Sequence, residues 1–311
     1  MATESCETPA CGYAVIRPRV ASLASMATLE HATRVATLLE SYRELVAELR
    51  AELEGLGAGH AGLVGEKVAH ALRAPVATEL ISAGGNDVLE LTARTARMAE
   101  TFTPSAASTA TSLAHHITIL LLQQIDLAWW SDAEDIEDSA ALEDSDAFVD
   151  MHDWRREGRI KFSFSLASDR LVPRARNYAI RHWFPDWAPG TPGPSTAMAR
   201  PEMVRLLNSL AIEFSHRAGP EVPPLWVNCI TRSVADQCRL QELGFAAHLP
   251  SAHCRGWAAD LEVAWFARFG AERTLVEMLN WYGDQGVLNA IDEGQIWHIS
   301  PNPAAIDEWR V

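Results

Sequence analysis

Apolar and polar residues alternate along this chain in two rhythms, and the change from one to the other divides it. From Thr28 to Leu53 the apolar positions Val35, Leu39, Tyr42, Val46, Leu49 and Leu53 recur every three or four residues, the period of one helix face. Their heptad-like spacing suits a helical hairpin or bundle packed within the chain as well as a coiled coil, and average helices favour the former. Further helices are predicted near 61–73, 86–101 and 108–129, with Gly84-Gly85 and Thr103-Pro104 as breaks. Lys161 to Leu166 alternates like a short strand, and Leu171 to Trp183 reads as a helix.

After Pro201 the period switches repeatedly. Met203, Leu206, Leu207, Leu210, Ala211 and Phe214 form one helical face, which Gly219-Pro220 ends. Leu225 to Ile230 reads as a strand. Ser233-x-x-Asp236 offers an N-terminal cap to a helix over Val234–Leu243, stopped by Gly244. A strand over Trp257–Val263, a helix over Glu272–Tyr282 and a hairpin over Val287–Ser300, turning near Glu293-Gly294, complete the order α-β-α-β-α-β-β. The expected fold class is α+β, with a small, mostly antiparallel sheet flanked by helices. The expected organisation is a loose tail over 1–24, a helical domain over 25–130, a connecting region over 131–200 and a sheet-bearing domain over 201–311. The connecting region holds ten acidic residues between Asp132 and Asp153, read as a solvated linker, and the proline-rich run Pro185–Pro201.

Composition sharpens this picture by exclusion. A chain of 311 residues that is 48% hydrophobic can build a core without metal or disulfide. Its net charge of −15 argues against nucleic acid or an anionic membrane as partner, since both need a basic face. The five cysteines, Cys6, Cys11, Cys229, Cys238 and Cys254, are too few and too scattered for a secreted disulfide framework. Met1 to Val20 holds no long apolar core of the secretory type. The apolar stretch Leu113–Trp130 carries His115, His116, Gln123, Gln124 and Asp126, so it reads as a buried helix and not a membrane span. The expectation is a cytoplasmic protein.

The residues that bear chemistry cluster late. His253 and Asp260 lie seven apart, with Gly256 between them to permit a tight bend. On the strand that follows, Ala258, Asp260 and Glu262 share one face while Trp257, Ala259, Leu261 and Val263 share the other, so an apolar packed face backs Asp260. His298 stands in a second strand, Ile296–Ser300. Two histidines and one aspartate make a three-ligand metal site with a fourth position left for water, the pattern of catalytic rather than structural zinc. Cys254 reads as a small buried hydrophobe, His115-His116 as part of a core helix, and Trp265, Phe266 and Trp281 as core.

The stretch Ser251-Ala-His253-Cys-Arg-Gly256-Trp-Ala258-Ala-Asp260 resembles the S-x-H-x-x-G-x-A-x-D signature of the zinc D-alanyl-D-alanine peptidases of the VanX/VanY type, whose fold is shared with the Hedgehog signalling domain. Thr231-Arg232-Ser233-x-x-x-Gln237 is similar to that family's upstream element, and Trp297-His298 to the pair supplying its last zinc ligand. The resemblance covers about residues 200–300. It implies zinc held by His253, Asp260 and His298. It also implies Arg232 facing a substrate carbonyl or carboxylate, and Ser251 and Gln237 beside the substrate or the ligand loop. The family's general base usually stands three residues before the last histidine, where this chain has Gln295. Glu293, five before His298, is the nearer acidic candidate, and Gly294 could shape a bulge that turns it inward. The resemblance therefore implies a zinc-dependent peptidase or amidase acting on a small peptide, one related to cell-wall precursors or ending in a D-amino acid. The alternative is a catalytically impaired zinc-stabilised module that binds peptide or protein. The helical region could in addition bind a partner protein or a second copy of the chain.

Overall fold

Helices follow the apolar spacing closely in the computed structural model, which describes residues 26–103, 110–167, 183, 185–191, 193–242 and 247–309. The tail at 1–24 with Cys6 and Cys11, residues 171–182 of the helix expected over Leu171–Trp183, and the stop at Gly244 lie outside the described residues. The chain divides into two units, Met1–Thr37 and Leu38–Val311. In the first, the described residues from Met26 are helical, the start of helix α1 (Met26–Leu53). The second unit carries the candidate site.

Four more long helices build its first half: α2 (Ala61–Leu72), α3 (Pro75–Ala83), α4 (Val88–Thr101) and α5 (Leu113–Trp129). Helix α3 escaped the periodicity reading, although Pro75 at its first turn is the expected start signal. Ser112 caps α5 by accepting from the His115 amide, and nearly every residue of α5 is buried. A helix that is apolar almost all round must be covered on all sides. Here α3 packs on one side and the sheet on another, while the Tyr42 hydroxyl of α1 donates to the Leu121 carbonyl at 3.0 Å.

The acidic segment is not a free linker. Asp138 and Asp150 cap the short helices α6 (Ser139–Glu143) and α7 (Met151–Arg156). Asp135 pairs with the buried Arg255 at 2.9 Å, and the Ile136 amide and carbonyl bond Cys254 and Val234. The proline-rich run is likewise docked. The Pro185 carbonyl accepts from the Trp265 indole, Thr191 donates to Glu262, and β2 (Met198–Ala199) pairs with β1 (Val149–Asp150). Of the strand expected over Lys161–Leu166 only a single bridge forms, from Ser163 to Trp226.

From Pro201 the observed order matches the expected one: α8 (Pro201–Ala218), β3 (Val227–Cys229), α9 (Val234–Glu242), β4 (Ala259–Glu262), α10 (Glu272–Asp284), β5 (Leu288–Asp292) and β6 (Ile296–Pro301). The four strands form an antiparallel sheet in the order β3-β4-β6-β5. The architecture is thus mixed helix and sheet, compatible with the α+β class. Directly paired residues point to the same side of a sheet. Ala259 opposite Ile299, Leu261 opposite Trp297 and Leu288 define one face, which joins the apolar core with α8 and α10. Asp260 opposite His298, with Ile291 beyond, defines the other face, where Ile119 of α5 packs on Ile291. Trp265 and Phe266 are core as expected, whereas Trp281 is 40% exposed.

Candidate metal centre

Three side chains converge on the polar face. Ser251 caps a short 3-10 turn over Ala252–Arg255 by accepting from the His253 amide, and this turn delivers His253. Gly256 closes the turn with φ +73°, and a Cβ there would sit 2.7 Å from the Phe148 ring. Only glycine combines that backbone with that contact, so the bend between His253 and Asp260 depends on it. Asp260 and His298 arrive as directly opposed residues of β4 and β6. The result is a closed triangle: His253 Nε2 to Asp260 Oδ1 3.0 Å, His253 Nε2 to His298 Nδ1 3.1 Å, and His298 Nδ1 to Asp260 Oδ1 3.2 Å. All three residues are buried.

The outward nitrogens settle which atoms carry hydrogen. His253 Nδ1 faces the Ile230 carbonyl at 2.8 Å, which can only accept, so Nδ1 carries the hydrogen. His298 Nε2 faces Asp126 Oδ2 at 2.8 Å, and the same reasoning places its hydrogen there. The neutral rings therefore turn two lone pairs toward a carboxylate oxygen. Three acceptors at mutual contact need a cation among them. One proton on His298 can serve, and the two flanking carboxylates favour it: against the effect of burial, the bonds to Asp126 and Asp260 push this imidazole up to about 10. Asp260 is held well below the usual carboxylate range, because His253 and Arg232 outweigh its desolvation. Burial lowers His253 against the opposing pull of Asp260. A divalent metal would satisfy all three edges where a proton satisfies one or two, and imidazole with carboxylate is a donor set that zinc accepts.

Cys229 extends the acceptor set. Cys229, His253 and Asp260 form a buried group whose ligand atoms lie within 4.8 Å of one another and could hold a metal ion. Its Sγ stands 3.7 Å from His253 Nδ1, the nitrogen already engaged with Ile230, and burial pushes the thiol up to about 12. Cys229 stands at the far edge of the His253 ring, whereas His253 Nε2, Asp260 Oδ1 and His298 Nδ1 lie within 3.2 Å of one another and make the more compact set.

The remaining expected residues take defined places. Arg232 Nη2 bonds Asp260 Oδ2 at 2.7 Å and keeps 19% of its side chain exposed. Gln237 is buried and points inward: its Oε1 accepts from Arg232 Nη1 and its Nε2 donates to the His248 carbonyl, so it positions Arg232 rather than lying open to solvent. Ser251 orients the ligand turn. Glu293 begins the hairpin turn, its amide bonding the Ile296 carbonyl, with Gly294 at φ +93° next to it. A two-residue turn, rather than a bulge, therefore places it on the His298 side of the sheet. The carboxyl is half-buried and accepts from Gln123 Nε2 at 3.2 Å. Burial and the Asp260 charge push it up to about 7. Gln295 is exposed at the turn, with its carbonyl spent on the Val263 and Ala264 amides. Residue spacing gave no signal for Asp126 and Gln123. Both come from α5, and His298 and Asp126 are 172 positions apart.

Comparison with protein-family models, with curated proteins and with solved structures returns no match for this chain. Among the described residues no helix is long and apolar enough to cross a membrane.

Proposed function

We propose that this protein is a zinc-dependent peptidase or amidase acting on a small peptide. The observation that carries the reading is the triangle of His253 Nε2, Asp260 Oδ1 and His298 Nδ1, whose two rings each spend their other nitrogen on an outward acceptor. These three residues would hold the metal. Zinc, when bound, supplies a Lewis acid that polarises a scissile carbonyl and lowers the pKa of water toward neutrality. Arg232, pinned by Asp260 and Gln237, would meet the substrate carbonyl or carboxylate with its exposed edge and stabilise charge developing on that oxygen. Glu293 would act as general base: Gln123 occupies Oε1, which leaves Oε2 to take the proton and later return it to the leaving amine. The chemistry reaches the carbonyl of any small peptide, and the resemblance of the ligand stretch points to dipeptides ending in a D-amino acid.

Gln295, at the position usual for the base, favours a second reading, a zinc-stabilised module that binds peptide without cleaving it. One experiment separates the two. The purified full-length protein is analysed for metal, then assayed on a dipeptide panel including D-Ala-D-Ala, with and without chelator. One zinc per chain and chelator-sensitive hydrolysis support the enzyme. Zinc with peptide binding and no turnover supports the module. A protein that takes up no zinc excludes both.

A further inference from the structure

One face of helix α5 runs along the β5–β6 hairpin, and its polar residues meet the centre one after another. His115 accepts from the Thr111 amide at Nδ1, so its Nε2 carries the hydrogen and donates to the Asp292 carbonyl at 2.8 Å. Two turns on, Gln123 holds Glu293 Oε1. One turn further, Asp126 accepts from His298 Nε2 with Oδ2 and from Asn289 Nδ2 with Oδ1, both at 2.8 Å. Asn289 also donates to the Leu122 carbonyl, and its own Oδ1 accepts from Arg43 of α1. Ile119, between these polar residues, seals the contact on Ile291. Asp126 is 1% exposed, and both its oxygens are committed. A carboxylate so buried is costly unless it is paired and hydrogen-bonded, and the pairing here is with His298 and Asn289.

We propose that α5 is the outer shell of the metal centre, with Asp126 as the positioning residue that turns His298 Nδ1 toward the metal and His115 and Gln123 as the residues that hold the Glu293 turn in place. The inference rests on the metal reading above and extends it to the helical half, which sequence pattern had left without chemistry. A carboxylate on the outer nitrogen of a ligating imidazole fixes the ring's orientation and tautomer and raises its basicity. The Asn289–Arg43 link fixes Asp126 in turn, so the register of α1 and α5 against the sheet is transmitted to one ligand atom.

The test uses the full-length protein in two arms. In the first, nitrogen-15-labelled wild type is loaded with zinc and its histidine tautomers are read by long-range proton–nitrogen NMR. His298 is expected to carry its hydrogen on Nε2 and His253 on Nδ1. In the second, zinc affinity of wild type and Asp126→Asn is measured by competition with a chromophoric chelator, alongside the visible spectrum of the cobalt-loaded forms. Asp126→Asn is expected to bind zinc about 10- to 100-fold more weakly and to shift the cobalt bands. Wild type that binds no zinc overturns the metal reading itself. Wild type that binds zinc through His298 Nε2, or a variant of unchanged affinity and spectrum, overturns the positioning role alone. The NMR arm needs no variant, so it decides the question even if Asp126→Asn does not fold.

Discussion

The two faces of the four-stranded sheet are built from the same strands and are almost equally buried, yet they are opposite in kind. One presents Ala259, Leu261, Leu288, Trp297 and Ile299 to the core. The other presents Asp260, Glu262, Asn289, His298 and Ser300. Burial therefore does not distinguish them, and partners do. Most of the polar face is a structural network in which donors and acceptors match one to one. Glu262 accepts from Thr191 and Asn228, Asn289 joins Asp126 to Arg43, and the Ser300 hydroxyl donates to the Trp257 carbonyl. Such matching is what buried polar groups ordinarily require. The triangle of His253, Asp260 and His298 breaks that rule by gathering acceptors, and a cation is the simplest remedy. The difference teaches where to look for function: at a spot where a satisfied network turns its lone pairs inward.

Substitution of the triangle should give the largest effect. Asp260→Ala removes a proposed ligand and the anion between Arg232 and His298, leaving two buried bases facing each other. Breaking such a group costs about 3–5 kcal/mol. Zinc content should fall to background and the thermal midpoint should drop, both in the full-length protein. Retained stoichiometric zinc would reassign the ligand set, with Cys229 as the next candidate.

Glu293→Gln separates binding from chemistry on the same face. Loss of a general base slows turnover roughly 10²- to 10⁴-fold, while the ligand triangle stays intact. Steady-state rates on a hydrolysed dipeptide, with zinc content measured on the same sample, give the comparison. Normal turnover would show that Glu293 is not the base.

Leu261→Ala probes the opposite face, between Asp260 and Glu262 on the same strand. Its side chain is fully buried in the core, so truncation should cost about 3 kcal/mol of stability by denaturant titration. Zinc affinity measured under native conditions should hold within about threefold, since the Leu261 side chain points away from Asp260 and His298 into the core on the opposite face. A large fall in affinity would mean that core packing and centre are coupled, and would blur the contrast between the faces.

The two faces also differ in how much of them the sequence discloses. Alternation along Trp257–Val263 predicts which residues of β4 face the core, and Gly256, expected as the tight bend between His253 and Asp260, is found at φ +73° at the end of the turn that Ser251 caps. The element order from Pro201 onward is legible for the same reason: each helix or strand carries its own period and its own stop. Asp126, Gln123 and His115 carry no such mark, because a carboxylate on an apolar helix looks the same whether it meets solvent or a histidine 172 positions away. The acidic segment misleads in the opposite direction. Composition assigns it to solvent, but the backbone of Ile136 and the carboxylate of Asp135 lock onto Cys254, Val234 and Arg255. Charge density describes side chains, and a segment can dock through its backbone while most of those side chains stay wet.

A graded, pH-dependent effect is expected at the first turn of α5. There His116 Nε2 meets His248 Nε2 at 3.1 Å, with the Phe102 ring, His115 and Arg94 as neighbours. No carboxylate faces this pair among the causes of its shifts. Burial first, then the neighbouring His115 and Arg94, lower His116 to about 4, and burial with Arg94 and His116 holds His248 well below 6.5. The unfolded chain takes up these protons near pH 6.5, whereas the native chain refuses them down to about 4 for His116. Unfolding thus binds protons between those limits, so stability falls as pH falls through that window, by at most about 1.4 kcal/mol per pH unit for each histidine. His298 in the metal-free protein acts elsewhere. Its raised value contributes stability that is complete below 6.5 and is lost as pH rises toward about 10, so it does not offset the acid slope. Glu293, raised to about 7, takes up its proton in the native state first and so opposes the slope of one of the two histidines between 7 and 4.5. Denaturant titrations with chelator at pH 6.5, 5.5 and 4.5 should show the decline, and His116→Leu should make it shallower. An unchanged slope in that variant would remove His116 as its source and leave the polar face of the sheet as the acid-sensitive part of the molecule.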